Sequence, residues 1–370
     1  LRAGARTNHC IVTFDDCEGL EYSIIEGAPD IRAGNVVLCR IPDFLFRRAK
    51  GELCFDALAL PMALQFLAAM APLASEPAAI AHLYSWECGF LFRPSESRDW
   101  LRGKRSFFSP GLTVGRLSRT VGDDDSPAWT LTRREREVAA EYEAEAAKGA
   151  DVTVVESSAD LSFFSGIPGR GRVEGRSFSA VRSSEFPSME GARRSLILLA
   201  GGRPVKEKGF EELCAEAALL KDWALTSNIH LELRILCSDG RSVKRAAYLE
   251  SLLKLVEASG VGGVVRLMPR VSVPQLKESI RQSDAVVVPS IFDPFCLMAT
   301  YAVEAGRPAF VSRHAGVSEN VRSQEFVFDP LVRGELTRAI THWVTHRPVF
   351  RYEASFAGYE DLYLETEGSR

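Results

Sequence analysis

The sequence has no long uninterrupted apolar run, no paired-cysteine motif and no strong excess of either charge. The stretch nearest to a bilayer span, 55-FDALALPMALQFLAAMAPLA-74, is broken by Asp56, Pro61, Gln65 and Pro72, so it reads as a buried amphipathic helix. No signal-peptide pattern is read either. The eight cysteines are scattered, without a Cys-x-x-Cys pair or a histidine at zinc spacing. They are expected to be reduced core thiols, which points to a cytoplasmic setting. A formal charge of −4 gives no electrostatic case for nucleic acid as the main partner. Gly-Lys-Ser/Thr phosphate loops, His-Glu-x-x-His and Gly-x-Ser-x-Gly are all missing, and no set of metal ligands is visible. Asp123-Asp124-Asp125 lies among Gly, Ser and Pro and reads as a solvated acidic turn. Gly169-Arg170-Gly171 starts like a dinucleotide fingerprint, but Glu174 stands at its third glycine position. His9, His230, His342 and His346 belong to no constellation.

What the chain does have is length and rhythm. At 370 residues, 46% hydrophobic and 25% charged, it is an ordinary globular sequence too long for one core, so two domains are expected. In the second half, 196-LILLA-200, 231-LELRILC-237, 264-VVRLM-268, 285-AVVVPS-290 and 309-AFVS-312 alternate with helical patterns, as at Phe210, Leu213, Cys214, Ala217 and Leu220. Strands too apolar to have a wet face imply a parallel sheet covered on both sides. The first half repeats the theme, with strands expected at 10–15, 35–40, 78–84, 105–109 and 151–158 and helices near 55–72 and 132–148. Residues 115–131 read as a loop, and 166–191 as irregular chain leading to a linker. The expected fold class is α/β with two Rossmann-like domains facing a cleft.

Ligands of open parallel sheets sit at the carboxyl ends of strands. Three such ends carry chemistry: 200-AGGRPVKEKGF-210, 290-SIFDPF-295 and 82-HLYSWECG-89. Cations among glycines suit a diphosphate, although a solvated basic loop would look the same. Asp293 before Pro294 reads equally as a helix cap.

In combination these residues resemble a known family. Gly202-Arg203 followed by Lys208-Gly209, then 289-PSIFDPFCLMATYAVEAGRP-308 and 315-AGVSE-319, is similar to the nucleotide-sugar-binding domain of GT-B retaining glycosyltransferases of family four. The likeness is to the branch of sucrose-phosphate synthases and the mycothiol-pathway glucosaminyltransferase. In the first half, His82-x-Tyr84-Ser85-Trp86-x-x-Gly89, 112-LTVGR-116, 134-RERE-137 and 150-ADVTVVESS-158 extend it. The resemblance implies an acceptor-side domain over 1–190, a donor domain over 191–347 and a C-terminal helix over 348–370 that crosses back to the first domain.

It also implies roles. Arg203 and Lys208 would neutralise the diphosphate leaving group, Asp293 would hold donor-sugar hydroxyls, and His82 would reach the ligand. Gly202, Phe295, Cys296, Leu297, Tyr301, Ser318 and Glu319 would line the nucleotide-sugar site. The implied activity is metal-independent, front-face sugar transfer from a nucleotide-diphosphate sugar, uridine diphosphate being the commonest carrier, to a small-molecule or glycan acceptor. No further cofactor, nucleic acid or transmembrane segment is implied, and homo- or hetero-oligomerisation is left open. With Lys208 read as exposed, its replacement by Ala is expected to lower turnover far more than stability.

Departures from the pattern lie at the same cleft. Tyr301 stands where the family has a carboxylate for both ribose hydroxyls, and a phenol cannot replace a bidentate acceptor. Glu304, one turn on, resembles a substitute but matches a position that the family usually keeps small and packed. Cys296 replaces a glycine, and Leu112 a histidine. The Gly-Gly loop expected after the first strand has no counterpart, so either the first strand, loop and helix lie outside this sequence or that segment has been lost. The alternative expectation is therefore a catalytically degenerate module kept for binding or assembly. An epimerase of the same fold would need a carboxylate and histidine set that is not found.

Overall fold

The computed structural model describes residues 9–15, 21–25, 36–42, 80–92, 105–186, 194–237 and 243–358, except Pro127, Phe178, Ala180 and Arg270, together with Leu362. The helix expected near 55–72 lies outside the described residues.

Strands β1 (His9–Asp15), β2 (Glu21–Ile25) and β3 (Val36–Pro42) form one small sheet in the order β1-β3-β2. The first pair is parallel and the second antiparallel. Beyond them, β4 (Ile80–Tyr84), β5 (Arg105–Ser109), β6 (Val152–Val155) and β7 (Arg172–Gly175) form a four-stranded parallel sheet in chain order. Its connections are helices α1 (Val114–Val121), α2 (Arg133–Gly149) and α3 (Ser158–Ser165). Helix α2 starts on a reciprocal cap, in which Thr132 accepts from the Glu135 backbone while Glu135 reaches back to Thr132. Two expectations are corrected here. The segment 115–131 is not all loop, because Val114 and Leu117 bury one face of α1. Nor is 166–191 all irregular, because it supplies β7 and also β8 (Ser183–Phe186).

The second half is more regular. Its sheet contains β9 (Ser195–Gly202), β10 (His230–Cys237), β11 (Val265–Met268), β12 (Ala285–Val288), β13 (Ala309–Ser312) and β14 (Val327–Phe328). All pairs are parallel, in the order β11-β10-β9-β12-β13-β14. Helices α4 (Phe210–Thr226), α5 (Val243–Ala258), α6 (Val273–Arg281), α7 (Leu297–Glu304) and α8 (Glu335–His346) accompany it. Residues 285–288 are buried throughout, as expected of a strand covered on both faces. The chain winds outward from β9 to β11, returns, and winds outward again from β12. The order therefore reverses between β9 and β12, and a crevice opens at their carboxyl ends.

The last described segment corrects another expectation. Residues 350–353 form a strand, β15 (Phe350–Glu353), antiparallel to β8, with the Phe186 and Phe350 rings stacked at 5.8 Å. The chain then follows the first half, with the Ser177 N–H donating to the Ala357 carbonyl at 2.8 Å. Leu362 is fully buried with Phe107, Val152 and Val154 of the four-stranded parallel sheet.

Candidate active site

The β9–β12 switch point lies where the sequence places its chemistry. After Gly202 ends β9, a 3-10 turn, Lys206–Lys208, leads through Gly209 into α4. Gly209 has φ 67°, and a Cβ there would lie 1.9 Å from the Pro289 carbonyl oxygen. Only glycine lets this turn close onto the end of the neighbouring strand connection. The Glu207 carbonyl then accepts from the N–H groups of Ile291 (2.9 Å) and Phe292 (3.2 Å). The motif Lys208-Gly209 thus fastens two candidate strand ends together.

Lys208 Nζ meets Asp293 Oδ2 at 2.5 Å, with side chains 19% and 8% exposed. This revises the reading of Lys208 as an exposed cation, since its charge is matched by the acid predicted to serve the sugar. Burial works against the ammonium, but the charge and hydrogen bond of Asp293 are the main influences opposing it, and the Lys208 pKa is held above its usual value. Arg203 is close enough to oppose them electrostatically, and no carboxylate pairs with it among the described residues.

Asp293 is not a helix cap, because α7 begins only at Leu297. Its other carboxylate oxygen accepts from the Phe295 N–H at 3.3 Å, so that predicted donor to the ligand is already engaged. The loop after β13 lies alongside, with Gly316 N–H donating to the Asp293 carbonyl and Val317 N–H to that of Phe295, both at 2.9 Å. A Cβ on Gly316 would stand 1.8 Å from the Pro294 carbonyl oxygen, so this position too requires glycine.

Cys296 precedes α7 at φ 82° and ψ 94°, a backbone region that suits the glycine expected there. Burial, reinforced by Asp293, pushes its thiol up to about 12, so it is a neutral group. Leu297 opens the helix with a side chain about half exposed. Tyr301 packs against the core of the second half with the Lys277 ammonium 5.2 Å from its ring centroid. Glu304 pairs with the same lysine at 3.1 Å, so its charge is committed to α6 instead of replacing the missing carboxylate.

The remaining predicted residues divide. Glu319 accepts from the Ser158 N–H with both oxygens at 2.9 Å, satisfying the first turn of α3 in the other half. Ser318 Oγ donates to the Arg313 carbonyl at 3.5 Å. His82 is hydrogen-bonded to Ser109 Oγ at 2.8 Å, and its ring lies tilted on Phe107, 5.8 Å away. Burial lowers its pKa to about 4, so the imidazole is neutral at pH 7.

Two residues named above only within motifs reach the Phe292-Asp293 turn from the first half, Tyr84 beside Asp293 and Arg116 beside Phe292. Tyr84, half exposed at the end of β4, has its phenol pKa raised by burial and then by the charges of Glu156 and Asp293. Its position at a strand end was the available signal. Arg116 pairs with buried Asp160 at 2.5 Å and lies over Phe292, 5.1 Å from the ring centroid. Beside it, Ile291 and Phe292 pack against Leu117 and Trp129 in a cluster shared by the two halves. Asp124 also departs from the solvated turn expected of it. It accepts from Lys206 Nζ at 2.7 Å and from Trp129 Nε1 at 2.9 Å, while Glu207 accepts from the Thr130 N–H at 3.2 Å.

Two parallel α/β units facing one another across a switch-point crevice define the GT-B fold. The solved sucrose-phosphate synthase from Thermosynechococcus elongatus superposes with a TM-score of 0.66 at 16% identity, over 97% of this chain and 87% of that one. The UDP-forming α,α-trehalose-phosphate synthase from Burkholderia xenovorans gives 0.67 at 11% identity, over 91% and 84%. Residues 184–355 match the family model "Glycosyl transferases group 1". A D-inositol 3-phosphate glycosyltransferase from Thermomonospora curvata is 32% identical over 180 residues, 48% of this chain and 40% of the relative. One from Streptomyces coelicolor is 30% identical over 174 residues, 46% and 37% of the two lengths. The matches thus span less than half the length of these curated relatives. No helix among the described residues is long and apolar enough to cross a membrane.

Proposed function

We propose that this chain is a retaining glycosyltransferase that moves a sugar from a nucleotide-diphosphate sugar to a small-molecule or glycan acceptor. The observation that carries this reading is the convergence of Arg203, Lys208 and Asp293 at the β9–β12 switch point. As the sugar–oxygen bond breaks, negative charge develops on the departing diphosphate. Arg203 and Lys208 would stabilise that charge without a metal, and Asp293 would hold the sugar hydroxyls. Lys208 must then divide its hydrogen bonds between Asp293 and the diphosphate, which its three donors permit. Front-face transfer, in which the diphosphate helps the acceptor lose its proton, needs only such positioned cations and hydrogen-bond donors. A uridine diphosphate sugar is the proposed donor and the cytoplasm the proposed setting, consistent with the buried thiols Cys214 and Cys237.

A second reading, a module that binds nucleotide without turnover, is favoured by the short Lys208–Asp293 pair and the positive φ of Cys296. A panel of uridine and guanosine diphosphate sugars separates the two readings. Donor hydrolysis or transfer supports the enzyme. A thermal shift with nucleotide but no turnover selects the binding module, and silence in both assays across the panel overturns the donor site itself.

A further inference from the structure

We infer that His342 and His346 form a two-imidazole clip for a late first-row divalent cation, such as Zn2+ or Cu2+, on the last turn of α8. The helix is fixed by its opposite face, where Leu336, Ile340 and Trp343 are buried and Trp343 packs edge-on to Phe310 at 5.5 Å. That anchoring leaves His342 and His346 exposed, one turn apart on the outer face. Their rings lie side by side, with centroids 4.4 Å apart and planes inclined by 23°. Rotation of exposed side chains suffices to bring one nitrogen of each ring onto a shared ion.

The hydrogen bonding also selects a metal-ready tautomer. His346 Nδ1 lies 3.3 Å from the His342 carbonyl oxygen. A carbonyl can only accept, so Nδ1 carries the proton and the Nε2 lone pair is left for a ligand. An Nδ1–H donated to a backbone carbonyl is the usual way a metal-binding imidazole is held in orientation. The site also lies at the carboxyl end of a helix, where the dipole favours positive charge. Imidazole nitrogen suits zinc and copper, with copper held more tightly, and water completes the coordination.

The clip is independent of the donor site and is tested without activity. The full chain, free of any affinity tag, is titrated with Zn2+ by calorimetry at pH 7.5, alongside His342→Ala, His346→Ala and, as a lone-histidine control, His230→Ala. All three positions are exposed, so circular dichroism should report unchanged folds. Each clip variant is expected to bind at least about tenfold more weakly than the wild-type chain, and the control to match it. With Cu2+, electron paramagnetic resonance of the wild-type chain should show two coordinated nitrogens that either clip substitution reduces to one. Absence of wild-type Zn2+ binding, equal binding by the variants, or a loss in only one of them overturns the clip.

Discussion

Lys208 and Asp293 set the chemistry of the crevice through their pairing. Removing either leaves the other largely buried without its counter-charge, at a cost of about 2–3 kcal/mol after allowance for partial exposure. The expectation that Lys208→Ala would spare stability is thereby replaced. Lys208→Met and Asp293→Asn should each lower the midpoint of urea unfolding, and the double variant should recover most of that loss. Asn retains an oxygen for the Phe295 N–H, so that hydrogen bond survives. Turnover, by contrast, should stay low in all three variants, because the double substitution restores charge balance without restoring the diphosphate ligand. Recovery of turnover along with stability would remove both residues from the donor site. Cys296 makes a second residue-scale case. A non-glycine residue at φ 82° costs about 1–3 kcal/mol, against about 0.5–1 kcal/mol of extra chain entropy for glycine. Cys296→Gly should therefore stabilise by about 1 kcal/mol, read as a melting point a few degrees higher, whereas Cys296→Ala should gain nothing. A lower melting point for Cys296→Gly would mean that the thiol's packing outweighs the strain.

Helix α1 starts on an unusual support. Its first N–H groups, from Val114 and Gly115, donate to the carboxyl oxygens of Glu143 on α2 at 2.6 and 2.9 Å. Burial raises the pKa of Glu143 to about 8, against the two backbone donors, with Asp160 raising it further and Arg116 opposing. A carboxyl raised in the folded state keeps its proton while the unfolded chain has lost it, so its contribution to stability falls as pH rises from about 4.5 towards 8. Melting curves from pH 5 to 8 should show a steeper decline for the wild-type chain than for Glu143→Gln, and parallel declines would contradict the burial argument. The sequence could not reveal this support, because Glu143 lies 28 residues from Gly115 and only the packing of α1 on α2 joins them. The same limit separates the legible elements from the rest. Strand β12 shows in the sequence because both its faces are covered and every position from Ala285 to Val288 is apolar and buried. By contrast, α1 hides in a polar stretch because only Val114 and Leu117 anchor it. Strand β15 is not legible in the sequence, because its register is set by β8, some 165 residues earlier, and not by local propensity. At the site, glycine and proline spacing located both strand ends. It could not show that Asp293 would take Lys208, that Glu319 would serve α3, or that Arg116 would cover Phe292.

At the scale of the molecule, the two halves meet around the crevice that the proposed donor must enter. Asp124 holds Lys206, Glu319 holds the Ser158 N–H, and Ile291 and Phe292 fill a cluster with Leu117 and Trp129. The Asp124 and Glu319 links are partly exposed and worth about 1 kcal/mol or less apiece, whereas the Glu207–Thr130 link involves a buried carboxylate, and burying an aromatic side chain such as Phe292 contributes about 1.5–3 kcal/mol. The two exposed links are therefore the ones that can yield without unfolding either half, while the apolar contact offers a pivot. Asp124→Asn together with Glu319→Gln should leave circular dichroism unchanged. The same variant should enlarge the radius of gyration in X-ray scattering and move Trp129 emission to longer wavelength as water reaches the indole. Hinge closure on ligand would then return the variant towards wild-type dimensions when a nucleotide sugar it binds is added. A double variant as compact as the wild-type chain, with unshifted emission, would place the closing force in the Phe292 cluster instead. Phe292→Ala would then be the substitution that parts the halves.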